Sequence, residues 1–374
     1  MPKLGWVAVG LGVVVLITTG VVVYVRLTLG QEEVAAPAVR LKFAPITAPP
    51  EALKARKIAF VSFKSGEQDI WLVEADGSSR TRLTQSLKNE YAPTWSPDGR
   101  RLAFLRTEGD FEGGFKKVTL CVLDIESGQE TVLAEVPSSW PIRPAWSPEG
   151  TKLALLTFDD GGTRRYWDDD TATLFLVKSD GGQETLVEGF HVYQTPPHPP
   201  NWSPDGNLIL FHGEYEGIAG LFAIGQEGEV SILYKGYEVV SPTWSPDGAQ
   251  IAFINPMGNT IEVLDVQEGS TREVTHFAPA WVWELVWSPD GRRLLYSAHF
   301  EGGGSELSVV DVGSGEVMVL DSGAESYFGL CWSPDGSRIA FTRWSEGVPP
   351  TIYLINADGS GLVKLVEEGW SPAW

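Results

Sequence analysis

Apolar residues along the chain recur in short alternating runs separated by clusters of Gly, Pro, Asp and Ser. Lys57-Ile58-Ala59-Phe60, Arg101-Leu102-Ala103-Phe104 and Gln250-Ile251-Ala252-Phe253 form one kind of run. Asp69-Ile70-Trp71-Leu72-Val73 and Thr351-Ile352-Tyr353-Leu354-Ile355 form a second. Their β-branched and aromatic content and turn-rich borders predict strands. A shorter run precedes the first kind and ends in tryptophan, as in Ala92-Pro93-Thr94-Trp95 and Ser241-Pro242-Thr243-Trp244. A fourth run follows a Gly-containing turn (Asp76-Gly77, Ser127-Gly128, Asp358-Gly359), for example Arg82-Leu83-Thr84 and Lys364-Leu365-Val366.

The link between the first two runs is the pentapeptide Trp95-Ser96-Pro97-Asp98-Gly99. It returns at Trp202 to Gly206, Trp244 to Gly248, Trp287 to Gly291 and Trp332 to Gly336, with Glu149 replacing Asp in Trp146 to Gly150. A truncated copy, Ser371-Pro372-Ala373-Trp374, is the last. Pro presets φ for a tight turn, Asp suits the next position, and Gly takes the left-handed conformation that closes a hairpin. Self-similarity at a period of about 40–50 residues marks a repeat architecture. Four short antiparallel strands per repeat predict an all-β propeller. Seven tryptophans occupy the inner-strand position, at 95, 146, 202, 244, 287, 332 and 374. Lys57 begins a unit that lacks its Trp strand, and Trp374 ends a strand that lacks its unit. The expectation is a seven-bladed ring closed by the Ser371–Trp374 strand joining the blade begun at Lys57.

These repeats, with their Ile-Ala-Phe and Asp-Ile-Trp-Leu strands, resemble the WD40-like propeller repeats of the TolB C-terminal domain. The propellers of prolyl oligopeptidases and dipeptidyl peptidases are similar. The resemblance covers roughly residues 57–374 and implies a fold, since one fold hosts many activities. TolB-like proteins also carry a small α/β domain before the propeller, for which residues 1–56 leave no room, so the full TolB function is not expected.

Leu4 to Val25 is an uncharged stretch between Lys3 and Arg26, long enough to cross a bilayer as a helix. The expected organisation is an uncleaved signal anchor over 1–26, a linker over 27–56 rich in Ala, Pro and Glu, and the propeller over 57–374. The family resemblance to envelope proteins implies a propeller on the extracytoplasmic side of the membrane. The 28 basic and 49 acidic residues give a net charge of −21, which disfavours nucleic acid and anionic lipid. Cys121 and Cys331 lie inside strand patterns and read as buried thiols rather than a disulfide.

The repeat lengthens at Thr107–Lys117, Asp159–Asp170 and Gly189–Pro200, which the topology puts on one face. Loops on a rigid scaffold carry binding. Four positions before the repeat Trp stand Tyr91, Ile142, His198, Val240, Trp283, Phe328 and Trp370. With Trp140, Tyr166, Trp167, Trp281 and Trp344, these rings predict an aromatic mouth suited to peptide side chains, sugars or cations. The alternative is that the inner-strand rings wedge between blades as core. Aspartates at 159, 160, 168, 169 and 170 could hold calcium, but they lack EF-hand spacing and read as a solvated loop. The five histidines, His191, His198, His212, His276 and His299, form no His-Glu-x-x-His motif, and no Gly-x-Ser-x-Gly elbow occurs. The expectation is therefore a membrane-anchored, non-enzymatic platform for protein or peptide partners, without cofactor or metal. The alternative is a carbohydrate-binding or polysaccharide-cleaving propeller using His191, His198 and His212.

Overall fold

The computed structural model describes residues 13–18, 21–26, 57–110, 114–136, 142–159, 171–191, 198–236, 239–257, 259–277 and 280–374. The chain divides into two units, Met1–Pro37 and Ala38–Trp374. All described regular structure is β.

In the first unit, Val13–Thr18 pairs antiparallel with Val21–Arg26, Val13 standing opposite Arg26 and Thr18 opposite Val21. The expected spanning helix is not found over these residues. Among the described residues no helix is long and apolar enough to cross a membrane. The strands are dominated by valine, with Ile17 and Thr18. Such β-branched side chains are stiff at χ1 and fit a pleated strand better than a helix. The remainder of 1–26 and the linker 27–56 lie outside the described residues.

The second unit repeats one four-stranded sheet, named here after its tryptophan. The Trp244 sheet runs Val240–Trp244, Gln250–Asn255, Thr260–Asp265, Thr271–His276, each strand antiparallel to the next. The Trp95, Trp287 and Trp332 sheets have the same order. In the Trp374 sheet the strands come from both ends of the sequence: Gly369–Ala373 pairs with Lys57–Ser62, which pairs with Asp69–Glu74 and then Thr81–Arg82. The Trp146 and Trp202 sheets touch edge to edge where His191 stands opposite Glu214. Gly213 permits that approach: it sits at φ +144°, and a Cβ there would lie 2.4 Å from the His191 carbonyl oxygen.

The pentapeptide works as its chemistry predicts. In the Trp332 sheet, Gly336 N–H donates to Ser333 O at 2.8 Å, and the Ser333 hydroxyl donates to Asp335 Oδ1 at 2.6 Å while accepting from Arg338 N–H at 2.9 Å. Donors from Ser333 and Ser337 hold the Asp335 carboxyl down at about 2. Successive hairpins also stack, so that Gly150, Gly291 and Gly336 lie against Pro97, Pro246 and Pro289 of the preceding sheet.

Sheets are joined through the repeat tryptophan. The Trp146 indole N–H donates to Thr94 O at 3.2 Å, Trp202 to Ala145 O at 3.1 Å, Trp287 to Thr243 O at 3.1 Å and Trp332 to Val286 O at 3.3 Å. Trp95 donates likewise to Ala373 O at 3.3 Å. Each acceptor is the residue just before the tryptophan of the preceding sheet. The ring face is covered by that sheet's second strand: Arg101 lies 4.8 Å over Trp146, Arg293 4.9 Å over Trp332 and Arg338 5.1 Å over Trp374. The apolar cores therefore fill the seams between sheets, as where Ile58 and Phe60 meet Ala340, Ile352, Leu354 and Trp374. Cys121 is buried, Cys331 half-buried, and both are free thiols. Burial pushes both up to about 12.

Trp332→Ala should cost about 3–5 kcal/mol in urea unfolding. Trp332→Phe, which keeps most of the apolar area and loses the N–H, should cost about 1–2 kcal/mol. Equal losses for the two would contradict a separate role for the ring packing.

Candidate functional site

The inner strands are not regular. Register shifts fall between residues 91 and 94, 240 and 243, 282 and 285, and 328 and 331, a bulge at the same place in these four sheets. The residue three before the tryptophan adopts left-handed φ at Ala92 (55°), Ser241 (52°), Gly329 (64°) and Ser371 (53°). For Ala and Ser this conformation is strained, and such strain gathers where structure positions function.

A bulge frees backbone N–H groups from the ladder. Two before the tryptophan, Pro93, Pro144, Pro200, Pro242 and Pro372 carry no N–H to satisfy. The exceptions are Leu285 and Leu330, and each is capped from the preceding sheet. Leu285 N–H donates to Ser241 Oγ at 3.1 Å. Leu330 N–H donates to Glu284 Oε2 at 2.7 Å, and Gly329 N–H to Glu284 Oε1 at 2.9 Å. Burial raises the Glu284 carboxyl, opposed by these two amides and by the positive charge of Arg143. Arg143 Nη2 in turn donates to Ser371 Oγ at 2.6 Å. Ala92 stands at the same repeat position in the sheet between them. Arg143, Ser241, Glu284 and Ser371, each three positions before a repeat tryptophan, thus form a polar, oppositely charged lining. None of them was singled out from the sequence. The available signal was the two repeats that lack proline two before the tryptophan.

A small pocket lies beside this lining, bordered by Leu156, Leu174, Leu210, Phe211, three prolines, His198 and His212. The two imidazole centroids are 5.6 Å apart. His198 Nδ1 lies 3.5 Å from Ser241 Oγ. Burial depresses His198 to about 3, with a further contribution from His212, and depresses His212 itself to about 4.

The predicted aromatic mouth divides. Trp281 and Trp344 are 59% and 44% exposed and remain candidates for contact with a partner. Phe328 and Trp370 are half-buried. Tyr91 corrects the expectation: it is 1% exposed, its ring edge-on to Trp370 at 5.9 Å. The bulge is the reason. One extra residue reverses the alternation, so the tryptophan faces the seam before its sheet while Tyr91, Ile142 and Val240 face the seam after it. Trp283 lies in the strand Ala280–Trp287. Trp140, Tyr166, Trp167 and most of the acidic 159–170 loop lie outside the described residues. Among the described residues no group of three or more His, Cys, Asp or Glu is placed to hold a metal ion.

Residues 109–280 match the family model described as the TolB beta propeller domain. The chain is 24% identical over 333 residues to dipeptidyl-peptidase 5 of Porphyromonas gingivalis, covering 72% of this chain and 46% of that protein. It is 30% identical over 156 residues to the TolB homolog of Chlorobium chlorochromatii, covering 41% of this chain and 30% of that protein. The chain spans less than half the length of either relative. Among solved structures, an oligogalacturonate lyase of Vibrio parahaemolyticus superposes with a TM-score of 0.64 at 17% identity, over 80% of this chain and 86% of that one. That likeness is one of fold. The chain thus carries TolB-type propeller repeats.

The expectation of a non-enzymatic protein is overturned by the relative named as a peptidase, beside a propeller of similar fold named as a lyase. The repeat motif encodes scaffold. Chemistry on such a scaffold rests on single inner-strand and loop residues, which leave no linear motif.

The histidine pair makes stability fall with acid earlier than carboxylates alone would. Both folded values lie below the ordinary 6.5, so between pH 6.5 and about 4 the unfolded chain binds protons that the folded chain refuses. The stabilisation is complete above pH 6.5 and is lost as pH falls through that window. Thermal melts should show Tm declining from pH 6.5 downward, with a shallower decline in His212→Phe. Identical slopes would contradict the assignment.

Proposed function

We propose that this chain is a peptide-recognising propeller serving peptidase-type chemistry, its sheets forming the seven blades of one closed ring. The pairing of Gly369–Ala373 with Lys57–Ser62 and the Trp95 bond to Ala373 support the closure. The observation that carries the peptide reading is Arg143. It is half-buried just before the inner strand Ala145–Trp146 and hydrogen-bonded to the neutral Ser371, and it makes no ion pair among the described residues. In a chain of net charge −21, a guanidinium that makes no direct ion pair among the described residues, its nearest carboxylate influence being Glu284, suits an anion from outside. A peptide carboxylate matches its fork geometry. Glu284 supplies opposite charge on the same lining for an amine. The match to a protein named as a dipeptidyl peptidase supports a peptide as the ligand, and the activity itself is part of the proposal because the chain matches 46% of that protein.

The test is calorimetric titration of the full chain with a mixed-sequence tetrapeptide pool, followed by resolved peptides. Wild type should bind peptides with free carboxyl ends. Arg143→Met should weaken binding about 10- to 100-fold, the loss of a charge-assisted hydrogen bond, while C-terminally amidated peptides should bind both proteins equally weakly. Equal affinity of wild type and Arg143→Met for the free acids would overturn the proposal.

A further inference from the structure

The fourth strand of the Trp287 sheet is an edge. Val317–Gly323 pairs antiparallel with Ser305–Asp311 and with no other described strand, so alternate N–H and C=O groups along it point away from the sheet. Natural folds guard such edges with polar or charged side chains, lysine above all. In the six other described sheets of this unit the second residue of the fourth strand is Arg82, Thr131, Glu184, Ser231, Arg272 or Lys364. Here it is Met318. Val317, Met318 and Val319 are 41%, 37% and 48% exposed. Successive side chains point to opposite faces, so this edge is apolar on both.

The strand is held from within. Leu320 is buried with Tyr327, Leu330 and Trp332, and Asp321 is ion-paired to Arg343. Carboxylates stand at both ends of the apolar run, Glu316 before it and Asp321 and Glu325 after it. The guanidiniums nearby are already engaged, Arg343 by Asp321 and Arg272 by the carbonyl of Val312. Glu316 and Glu325 make no ion pair among the described residues. A second copy of this chain would bring a further net charge of −21 to the edge, against like-charge repulsion. A cationic partner meets opposite charge instead.

We propose that Val317, Met318 and Val319 form a docking edge for an extended segment of a partner protein, with alternating apolar residues and with Lys or Arg at its ends. The segment adds a fifth strand to the Trp287 sheet. Its backbone takes up the outward N–H and C=O groups, its apolar side chains cover the three exposed ones, and its cations meet the carboxylates at the two ends of the run. Main-chain pairing supplies affinity, and the end charges select the partner. The edge belongs to the outermost strand, apart from Arg143 and from the peptide reading built on it.

The chain has three methionines, Met1, Met257 and Met318, so ¹³C-methyl methionine spectra of the full chain report on the edge directly, with Met318 assigned through Met318→Leu. The probe is a heptapeptide of alternating Val and Thr with Lys at both ends, acetylated and amidated so that it offers Arg143 no carboxylate. The expected result is a saturable shift of the Met318 methyl, with the exposed Met257 unmoved. Fluorescence anisotropy of the labelled peptide should show affinity about tenfold lower for Met318→Lys, with folding checked by its amide spectrum. An unmoved Met318 methyl at about 5 mM peptide would overturn the proposal. So would an equal shift with a Glu-ended peptide, or with one N-methylated at every Val and Thr amide, which cannot donate to a ladder. A Met318 signal that moves with protein concentration alone would mark a second copy as the occupant and overturn it equally. The wild-type spectra decide the matter, whatever the stability of the variants.

Discussion

The hydrogen bond from the indoles of Trp95, Trp146, Trp202, Trp287 and Trp332 to the preceding sheet is the interaction on which the architecture depends. A four-stranded antiparallel sheet with apolar faces cannot stand alone in water, and stacking such sheets leaves their mutual register undetermined. The indole N–H fixes it. Trp146, Trp202, Trp287 and Trp332 each reach the carbonyl of the residue before the previous tryptophan, so one inner strand measures its position from the last. Arginines of the preceding second strand close over the rings of Trp146, Trp332 and Trp374. Hydrophobic burial supplies most of the stabilisation and direction comes from the polar edge of the same side chain.

The inner-strand bulge follows from that register. It turns the residue four before the tryptophan into the opposite seam, so a single strand seals both sides of its sheet. It also releases amides toward the inner face. Proline removes the need to satisfy them in five repeats. In the other two, Ser241 and Glu284 accept them instead. Those substitutions carry polar and charged groups inward, where Arg143 and Ser371 join them. Scaffold and candidate site are thus two consequences of one local irregularity.

Much of the fold was legible in the sequence because turn chemistry and strand alternation are local. Trp-Ser-Pro-Asp-Gly announces its hairpin wherever it occurs. The aromatic residues were misjudged at Tyr91 because alternation was extended through a bulge that no single residue marks. Arg143 and Glu284 escaped notice for a related reason: their significance lies in partners on other sheets, distant in sequence. The valine-rich N-terminal stretch illustrates the limit of hydropathy, which measures apolar length without distinguishing helix from strand.

The most direct test of this account is hydrogen exchange of the indole N–H groups, followed in assigned ¹H–¹⁵N spectra of the full chain. The indoles of Trp95, Trp146, Trp202, Trp287 and Trp332 should exchange slowly, at rates approaching global unfolding, while the exposed indole of Trp344 exchanges fast. Fast exchange of the repeat indoles in the folded protein would contradict the claim that these bonds hold the sheets in register.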